Sequence, residues 1–347
     1  KEKRKIFSMA DPPISKKYFL YVGIVLLVLI FFSYANTLNS PFNFDDHAIF
    51  QIVDWSSNHN SCGFSPIQYR HLFFQSFCIT QSQKGLDPFW YHLVNISLHF
   101  LTSLTLFFLL FLTLDNGTRW RGKDAYSIAG LTAILFAINP LNTETVTYIS
   151  GRASGMAGFF YLLTIFLFII GTLKRSSGKT IIFYPLALIS CLAAVLSKET
   201  SVTLPIVIIL YDLCFINNNR WGPLKSRLVF LYLPITFSIF SLLILQPTLQ
   251  QMIVKFTENL DLGYALAQAQ VVGYALKLSF FPINLIFDYN FSNNWFASDA
   301  YKWLPVLFWV SLVTIIIKKL KKLPATIPFF ILWFILTISI TNSFLPR

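Results

Sequence analysis

Long uncharged apolar runs recur along most of the chain, separated by short polar links. The first run covers residues 18–35 and contains no charged side chain. At 1.5 Å per residue, a helix of this length spans the ~30 Å hydrocarbon core of a bilayer with slight thinning. A signal peptide has a shorter apolar core and a small-residue cleavage site, and here further runs follow. The first run therefore predicts a retained membrane anchor.

The same pattern repeats along the chain, at residues 91–114, 125–138, 153–173, 181–196, 201–216, 228–245, 303–317 and 325–344. A tenth stretch, residues 264–287, carries Gln268, Gln270 and Lys277, which suit an interfacial or re-entrant helix better than a lipid-exposed span. We therefore predict an all-α polytopic membrane protein with nine to ten spans.

Composition agrees with a bilayer environment and excludes other classes. Hydrophobic residues make up 55% of the chain and charged residues 12%, and the mean hydropathy is +0.61. A soluble enzyme or a disordered tail cannot carry so much apolar surface. The net charge of +12 is typical of cytoplasmic loops in a membrane protein and does not indicate nucleic-acid binding. Four cysteines form neither a disulfide framework nor a paired zinc pattern.

The distribution of positive charge predicts the orientation of the chain. With the N-terminus in the cytoplasm and residues 264–287 not crossing, most of the 27 Lys and Arg residues lie on the cytoplasmic side. Two long loops, 36–90 and 246–302, then lie on the outer side. Because no segment shows the composition of a soluble domain or an internal repeat, we predict one membrane domain over residues 1–347.

Acidic residues concentrate on the predicted outer side, several of them where a span ends. Ionisable groups at a membrane boundary are costly unless they are paired or face a wet cavity, so they indicate a functional site; the alternative is solvated helix ends. In the pair Asp45-Asp46, the adjacent carboxylates either repel each other or share a divalent cation, and either arrangement suits a general base. The remaining candidates are Arg70, Asp87, Glu144, Arg152, Lys198, Glu199 and Asp288.

Several short motifs in order along the chain carry a family resemblance. They are Phe44-Asp45-Asp46, Tyr69-Arg70-His71-Leu72, residues 85–95 (GLDPFWYHLVN), residues 139–145 (NPLNTET) with Gly151-Arg152, Ser197-Lys198-Glu199-Thr200, Leu210-Tyr211-Asp212-Leu213, and residues 281–285 (FPINL) before Asp288-Tyr289. Together they resemble the transmembrane and tetratricopeptide-repeat O-mannosyltransferases and their bacterial relatives, which are C-type (GT-C) glycosyltransferases.

The resemblance implies an inverting transfer of a hexose from a polyprenyl-phosphate donor to a protein or glycan hydroxyl on the outer side. Asp45 or Asp46 would be the general base, and Arg152 with Lys198 would hold the donor phosphate. Glu144 and Glu199 would support these groups, with Arg70, Asp87 and Asp288 as further candidates.

Two departures from the family weaken parts of the resemblance. Asn139 and Asn142 stand where the family often has histidines, so a metal or proton role there is not expected. The tetratricopeptide repeats are absent from this sequence.

Two rival functions stay open: a catalytically silent accessory subunit of a membrane complex, and a lipid-linked-oligosaccharide ligase or flippase. For location, the sequence favours a bacterial inner membrane over the endoplasmic reticulum membrane, because no repeats are visible.

Cys62 and Cys78 lie in the first outer loop, where the compartment is oxidising. A disulfide between them would stiffen the loop that carries Asp45 and Asp46, and two free thiols are the alternative.

The topology can be tested directly by cysteine labelling from each side of the membrane. We expect positions 70, 152, 198 and 288 to lie on the face opposite Arg121, Lys319 and Lys321, because of the charge asymmetry. If residues 264–287 prove to be a full crossing, every later segment changes sides.

Overall fold

In a computed structural model, the structure describes residues 15–50, 70–173, 180–216, 262–286, 307–315 and 323–341, together with Thr236 and Lys318. Every regular element in these residues is helical and none is a strand, which confirms the predicted all-α class. The chain divides into two compact units, Lys1–Leu242 and Leu243–Arg347, which are described separately. The single domain over residues 1–347 stays a prediction.

The described residues of the first unit are mostly helical. The helices are α1 (Lys16–Tyr34), α2 (His71–Lys84), α3 (Pro88–Gly117), α4 (Gly122–Ala137), α5 (Thr143–Thr147), α6 (Arg152–Leu173), α7 (Thr180–Ser197) and α8 (Leu204–Tyr211). The same part of the chain contains short 3-10 turns at Ala35–Thr37, Pro140–Asn142, Ile149–Gly151 and Glu199–Thr203 and a π-helical turn at Asp212–Ile216.

Helix α3 is the centre of the first unit and packs against α1, α4 and α6. It begins where the Asp87 carboxylate accepts the backbone N–H of Phe89 at 3.1 Å, with Pro88 in the first turn. Its buried hydroxyls bond within the helix, as Thr102 Oγ1 does to the Leu98 carbonyl at 2.7 Å. Polar side chains of α3 can therefore face the bundle without an unsatisfied donor.

Small residues allow α4 to approach its neighbours closely. A Cβ on Gly130 would lie 3.8 Å from Val22 of α1 and 4.0 Å from Phe107 of α3. An alanine stripe at every fourth position is fully buried on the same helix, namely Ala125, Ala129, Ala133 and Ala137. Such stripes are typical of helix contacts in membranes, where close packing replaces the hydrophobic effect between helices.

Helices α6 and α7 form an antiparallel hairpin with extensive contact. A Cβ on Gly171 would lie 2.8 Å from the Tyr184 ring, and Ser190 Oγ donates to the Phe160 carbonyl at 2.9 Å. Since the two helices are antiparallel, the start of α6 and the end of α7 lie at the same end of the bundle. That end carries most of the candidate residues.

The second unit contains α9 (Leu262–Phe280) and α10 (Thr326–Thr341), with residues 307–315 also helical. The apolar part of α9, Val271–Phe280, is shorter than a span, and Lys277 is exposed. Inside this unit the Trp309 ring lies 6.3 Å from the Phe334 ring. An interfacial or re-entrant role for residues 264–287 stays a prediction.

Four helical segments in the described part of the chain are long and apolar enough to cross a membrane: Lys17–Thr37, Pro88–Gly117, Ile149–Leu173 and Glu199–Ile216. The pair Gly122–Ala137 and Pro140–Thr147, bent by 49°, is a fifth if it is one broken span. The chain is thus a multi-pass membrane protein. The number of nine to ten spans stays a prediction, and the run at 228–245 lies outside the described residues.

The cysteines in the described residues include both disulfide-bonded and free side chains. Cys78 on α2 is disulfide-bonded, whereas Cys191 and Cys214 are free and buried. Cys62 lies outside the described residues and stays the predicted partner.

We expect a Cys62–Cys78 cross-link in peptide maps of the non-reduced protein. A bond that closes a loop of about 15 residues stabilises a protein by roughly 3 kcal/mol, so Cys78→Ser should lower the free energy of unfolding by about that amount. Cys191 and Cys214 should alkylate only after unfolding. A Cys78 peptide linked to either of them would contradict the pairing.

Candidate functional site

The two carboxylates of the Asp45-Asp46 pair have different environments. Asp46 is 1% exposed, and its carboxylate accepts the backbone N–H of Asn43 at 3.0 Å and that of Ser150 at 2.9 Å. The Ser150 hydroxyl donates to the same carboxylate. Asp45 is exposed, and its backbone N–H donates to Tyr148 Oη at 3.1 Å. Asp46 therefore anchors the loop, and Asp45 presents a carboxylate to the surroundings.

The turn after α4 brings Ser150 to this anchor. Asn139 Oδ1 accepts the Leu141 N–H at 3.0 Å, and Asn142 Nδ2 donates to the Phe136 carbonyl at 2.6 Å. The two asparagines that replace the family histidines thus satisfy backbone groups at a helix end. Both asparagine side chains therefore have a structural role in this turn.

Gly151 permits a close approach of two backbone segments beside the anchor. A Cβ at this position would lie 2.5 Å from the Glu144 carbonyl oxygen and 3.0 Å from that of Thr145. Both are backbone atoms that cannot move aside cheaply. The glycine of the Gly-Arg motif is therefore required by space.

Arg152 is buried and hydrogen-bonded inside the bundle. Its side chain is 0% exposed, and Nε donates to Asn95 Oδ1 at 3.0 Å while Nη2 donates to the Tyr91 carbonyl at 3.1 Å. Nη1 faces Ser76 and Thr80 of α2 at 3.3–3.4 Å. A buried charge is tolerated only when it is this well bonded. All three guanidinium nitrogens thus donate to protein acceptors, and Arg152 also lines the cavity described below. Its role as a donor-phosphate clamp stays a prediction.

Lys198 and Arg70 are the partly exposed cations at the same end of the bundle. Lys198 Nζ donates to Ser154 Oγ in the first turn of α6 at 2.7 Å. Arg70 donates through Nη2 and Nε to the two carboxylate oxygens of Glu199, at 3.0 and 3.2 Å. The side chains of this ion pair are 29% and 27% exposed. A charged surface therefore lies where α2 begins and α7 ends.

A cavity of about 160 Å³ lies beside these groups, between α3, the turn after α4, and α6. Its polar lining includes His99, Thr102, Asn142, Thr145 and Ser154. At ~30 Å³ per water molecule, it holds about five waters or a small polar ligand. Ser154 connects the cavity to Lys198.

Two of the other predicted residues, Asp87 and Glu144, lie in the described part of the chain. Asp87 caps α3, and Glu144 is exposed in the first turn of α5. Asp288 lies outside the described residues. Because Asp46 offers both carboxylate oxygens to N–H and O–H donors, Asp45 is the member of the pair that a divalent cation could contact. Within the described residues no group of three His, Cys, Asp or Glu side chains could hold a metal ion.

Sequence reasoning missed three residues that organise the site: Asn95, Tyr148 and Ser150. Asn95 accepts from Arg152 and donates through Nδ2 to the Tyr148 and Ile149 carbonyls at 3.0 and 3.3 Å. Burial raises the pKa of the Tyr148 phenol above its ordinary value, and the charges of the nearby carboxylates act in the same direction. The signal available in the sequence was the position of Tyr148 and Ser150 just before the Gly-Arg motif.

Comparison with known proteins confirms the resemblance. Protein O-mannosyl-transferase TMTC1 of Homo sapiens is 34% identical over 160 residues, which are 44% of this chain and 17% of that protein. TMTC3 of Homo sapiens is 29% identical over 216 residues, 57% of this chain and 21% of that protein. Tmtc1 of Drosophila melanogaster is 32% identical over 202 residues, which are 54% of this chain and 22% of that protein. The chain thus matches about a fifth of the length of these relatives.

No family model matches the chain, and no solved structure matches it.

Because the Asp46 carboxylate anchors the loop, substitutions of Asp45 and Asp46 should differ in their effect on stability. We expect Asp46→Asn to lower the free energy of unfolding by about 2–3 kcal/mol, since the amide replaces a charged acceptor of three hydrogen bonds. Asp45→Asn, the matched control, should change it by less than about 0.5 kcal/mol. Unfolding of the detergent-solubilised protein measures both, and equal losses would argue against the anchor.

Proposed function

We propose that this chain transfers a hexose from a polyprenyl-phosphate donor to a hydroxyl group of a protein on the outer side of the membrane. The observation that carries the proposal is the convergence of separate motifs on one end of the bundle. Asp46 contacts Ser150, and Lys198 contacts Ser154 next to the cavity. The relatives that match about half of this chain are named protein O-mannosyl-transferases.

Asp45 is the proposed general base. Its exposed carboxylate takes the proton of the acceptor hydroxyl as that oxygen attacks the anomeric carbon. The bond from the anomeric carbon to the phosphate oxygen breaks, and polyprenyl phosphate leaves with the electron pair. Attack from the side opposite the leaving group inverts the anomeric carbon. Tyr148 supports this role, because its hydroxyl fixes the Asp45 backbone.

Lys198 is the proposed cation for the donor phosphate. It is partly exposed, and its ammonium group already reaches the rim of the cavity through Ser154. A cation aimed at the departing phosphate stabilises the charge that develops there. Glu144, exposed near the turn that carries Ser150, is a candidate for contacts with sugar hydroxyls. Arg152 supports the site indirectly by holding α2, α3 and α6 together.

The animal origin of the relatives supports the endoplasmic reticulum membrane over the bacterial inner membrane as the proposed location. The acceptor would then be a lumenal protein, with a glycan as the alternative. Retention of a polyprenyl-phosphate lipid by the purified protein tests the donor class, and sugar transfer to a protein acceptor tests the activity.

A catalytically silent accessory subunit remains the second candidate. The observation that favours it is that Asn139, Asn142, Asp46 and Arg152 all have structural hydrogen bonds. Specific binding of polyprenyl phosphate without any sugar transfer would support this alternative.

The proposed base predicts a selective loss of turnover. We expect Asp45→Asn to lower the rate of sugar transfer 10²–10⁴-fold, about 3–5 kcal/mol in the barrier, without loss of donor binding. Asp124→Asn is the control, because Asp124 is an exposed carboxylate in the first turn of α4, at the opposite end of that helix from the site. Full transfer activity in the Asp45→Asn variant would refute the assignment.

A further inference from the structure

The ion pair between Arg70 and Glu199 has the geometry of a phosphate site. Two nitrogens of the planar guanidinium face the two oxygens of one carboxylate, at 3.0 and 3.2 Å. The same planar fork binds phosphate in two-point contacts, because phosphate also presents paired oxygens. The position of the Glu199 carboxylate therefore also fits a phosphate group.

The backbone at Arg70 is held in an unfavourable conformation. Its φ of 53° lies in the left-handed region, which side-chain-bearing residues rarely adopt. Arg70 directly precedes α2, whose Ser76 and Thr80 are fixed by contacts with the buried Arg152. Strain of this kind persists where the surrounding structure imposes it, and it is frequent at ligand sites. The guanidinium is thus presented from a fixed helix at a defined place.

The charges around the pair suit exchange between a carboxylate and a phosphate. Lys198 directly precedes Glu199, so two cations lie close to one anion. A sugar phosphodiester carries one negative charge, whereas the monoester product carries about two near pH 7. If Glu199 leaves, Arg70 and Lys198 together match the charge that develops on the leaving group. When the Glu199 carboxylate returns to Arg70, it displaces the polyprenyl phosphate product.

We propose that Arg70 is the second phosphate ligand of the lipid-linked donor, and that Glu199 occupies its guanidinium when no donor is bound. This inference rests on the proposed function. It gives Arg70 and Lys198 together the task that the sequence assigned to Arg152 and Lys198. Glu199 becomes a competing anion that is exchanged during each turnover.

A pair of substitutions distinguishes this exchange from a merely structural ion pair. Glu199→Gln and Arg70→Gln both remove the same ion pair, so their effects on stability should be similar. Their effects on phosphate binding should be opposite. The probe is polyprenyl monophosphate without sugar, titrated into the purified 347-residue chain in detergent, with the unphosphorylated polyprenol as the lipid control.

We expect Glu199→Gln to bind the phosphate several-fold more tightly than the unmodified protein, and Arg70→Gln to bind it about tenfold more weakly or worse. Arg70→Lys, which keeps the charge and loses the fork, should bind with intermediate affinity. Unfolding midpoints of the two Gln variants should shift equally, which separates a folding defect from a binding effect.

The outcomes separate this inference from the proposed function. If the unmodified protein binds the phosphate and both Gln variants bind equally well or equally poorly, the exchange is overturned while the donor class stands. If the unmodified protein binds polyprenyl monophosphate no more tightly than polyprenol, the donor class fails, and the exchange fails with it.

Discussion

A guanidinium buried inside a membrane bundle is the constraint on which the rest of the structure depends. Arg152 has no exposed surface, so each of its donors needs a protein acceptor. Asn95 and Tyr91 of α3 supply two of these acceptors, and α2 supplies the others. Removal of any partner would leave a buried N–H donor unsatisfied, so these contacts hold the helices in place relative to one another. The Phe77 ring, 4.3 Å from the guanidinium carbon, completes the enclosure.

This fixed joint positions the groups that face outward. Ser150, two residues before Arg152, holds the Asp46 carboxylate, and Tyr148 holds the backbone of Asp45. On the opposite flank, Ser154, two residues after Arg152, meets Lys198. A change at the buried arginine would therefore reach the carboxylate and the lysine together. The site has a rigid interior and an exchangeable surface of partly exposed charges.

A rigid interior with exchangeable charges at the surface suits the proposed transfer from a lipid-linked donor. In that reaction the leaving phosphate gains charge while the acceptor loses a proton. The interior groups have to remain in place, since an unpaired buried charge is costly. In the proposed reaction, the groups at the surface exchange partners in each turnover, and exposed ion pairs do so at small cost. The Arg70–Glu199 pair and Asp45 lie on that surface, whereas Asp46 and Arg152 lie inside.

The sequence by itself determined the membrane class, the all-helical fold and the bounds of most described helices, because long apolar runs have one stable solution in a bilayer. It also predicted which motifs carry the site. The tertiary structure decided which of these residues are buried: Asp46 and Arg152 lie inside the bundle, whereas Asp45 is exposed. The sequence treats the two aspartates as equivalent, because an ionisable residue near the end of a span has the same pattern whether its side chain points into the bundle or out of it. Only the contacts of Ser150, Asn95 and Glu199, far away along the chain, show which charges are already bonded and which can meet a substrate.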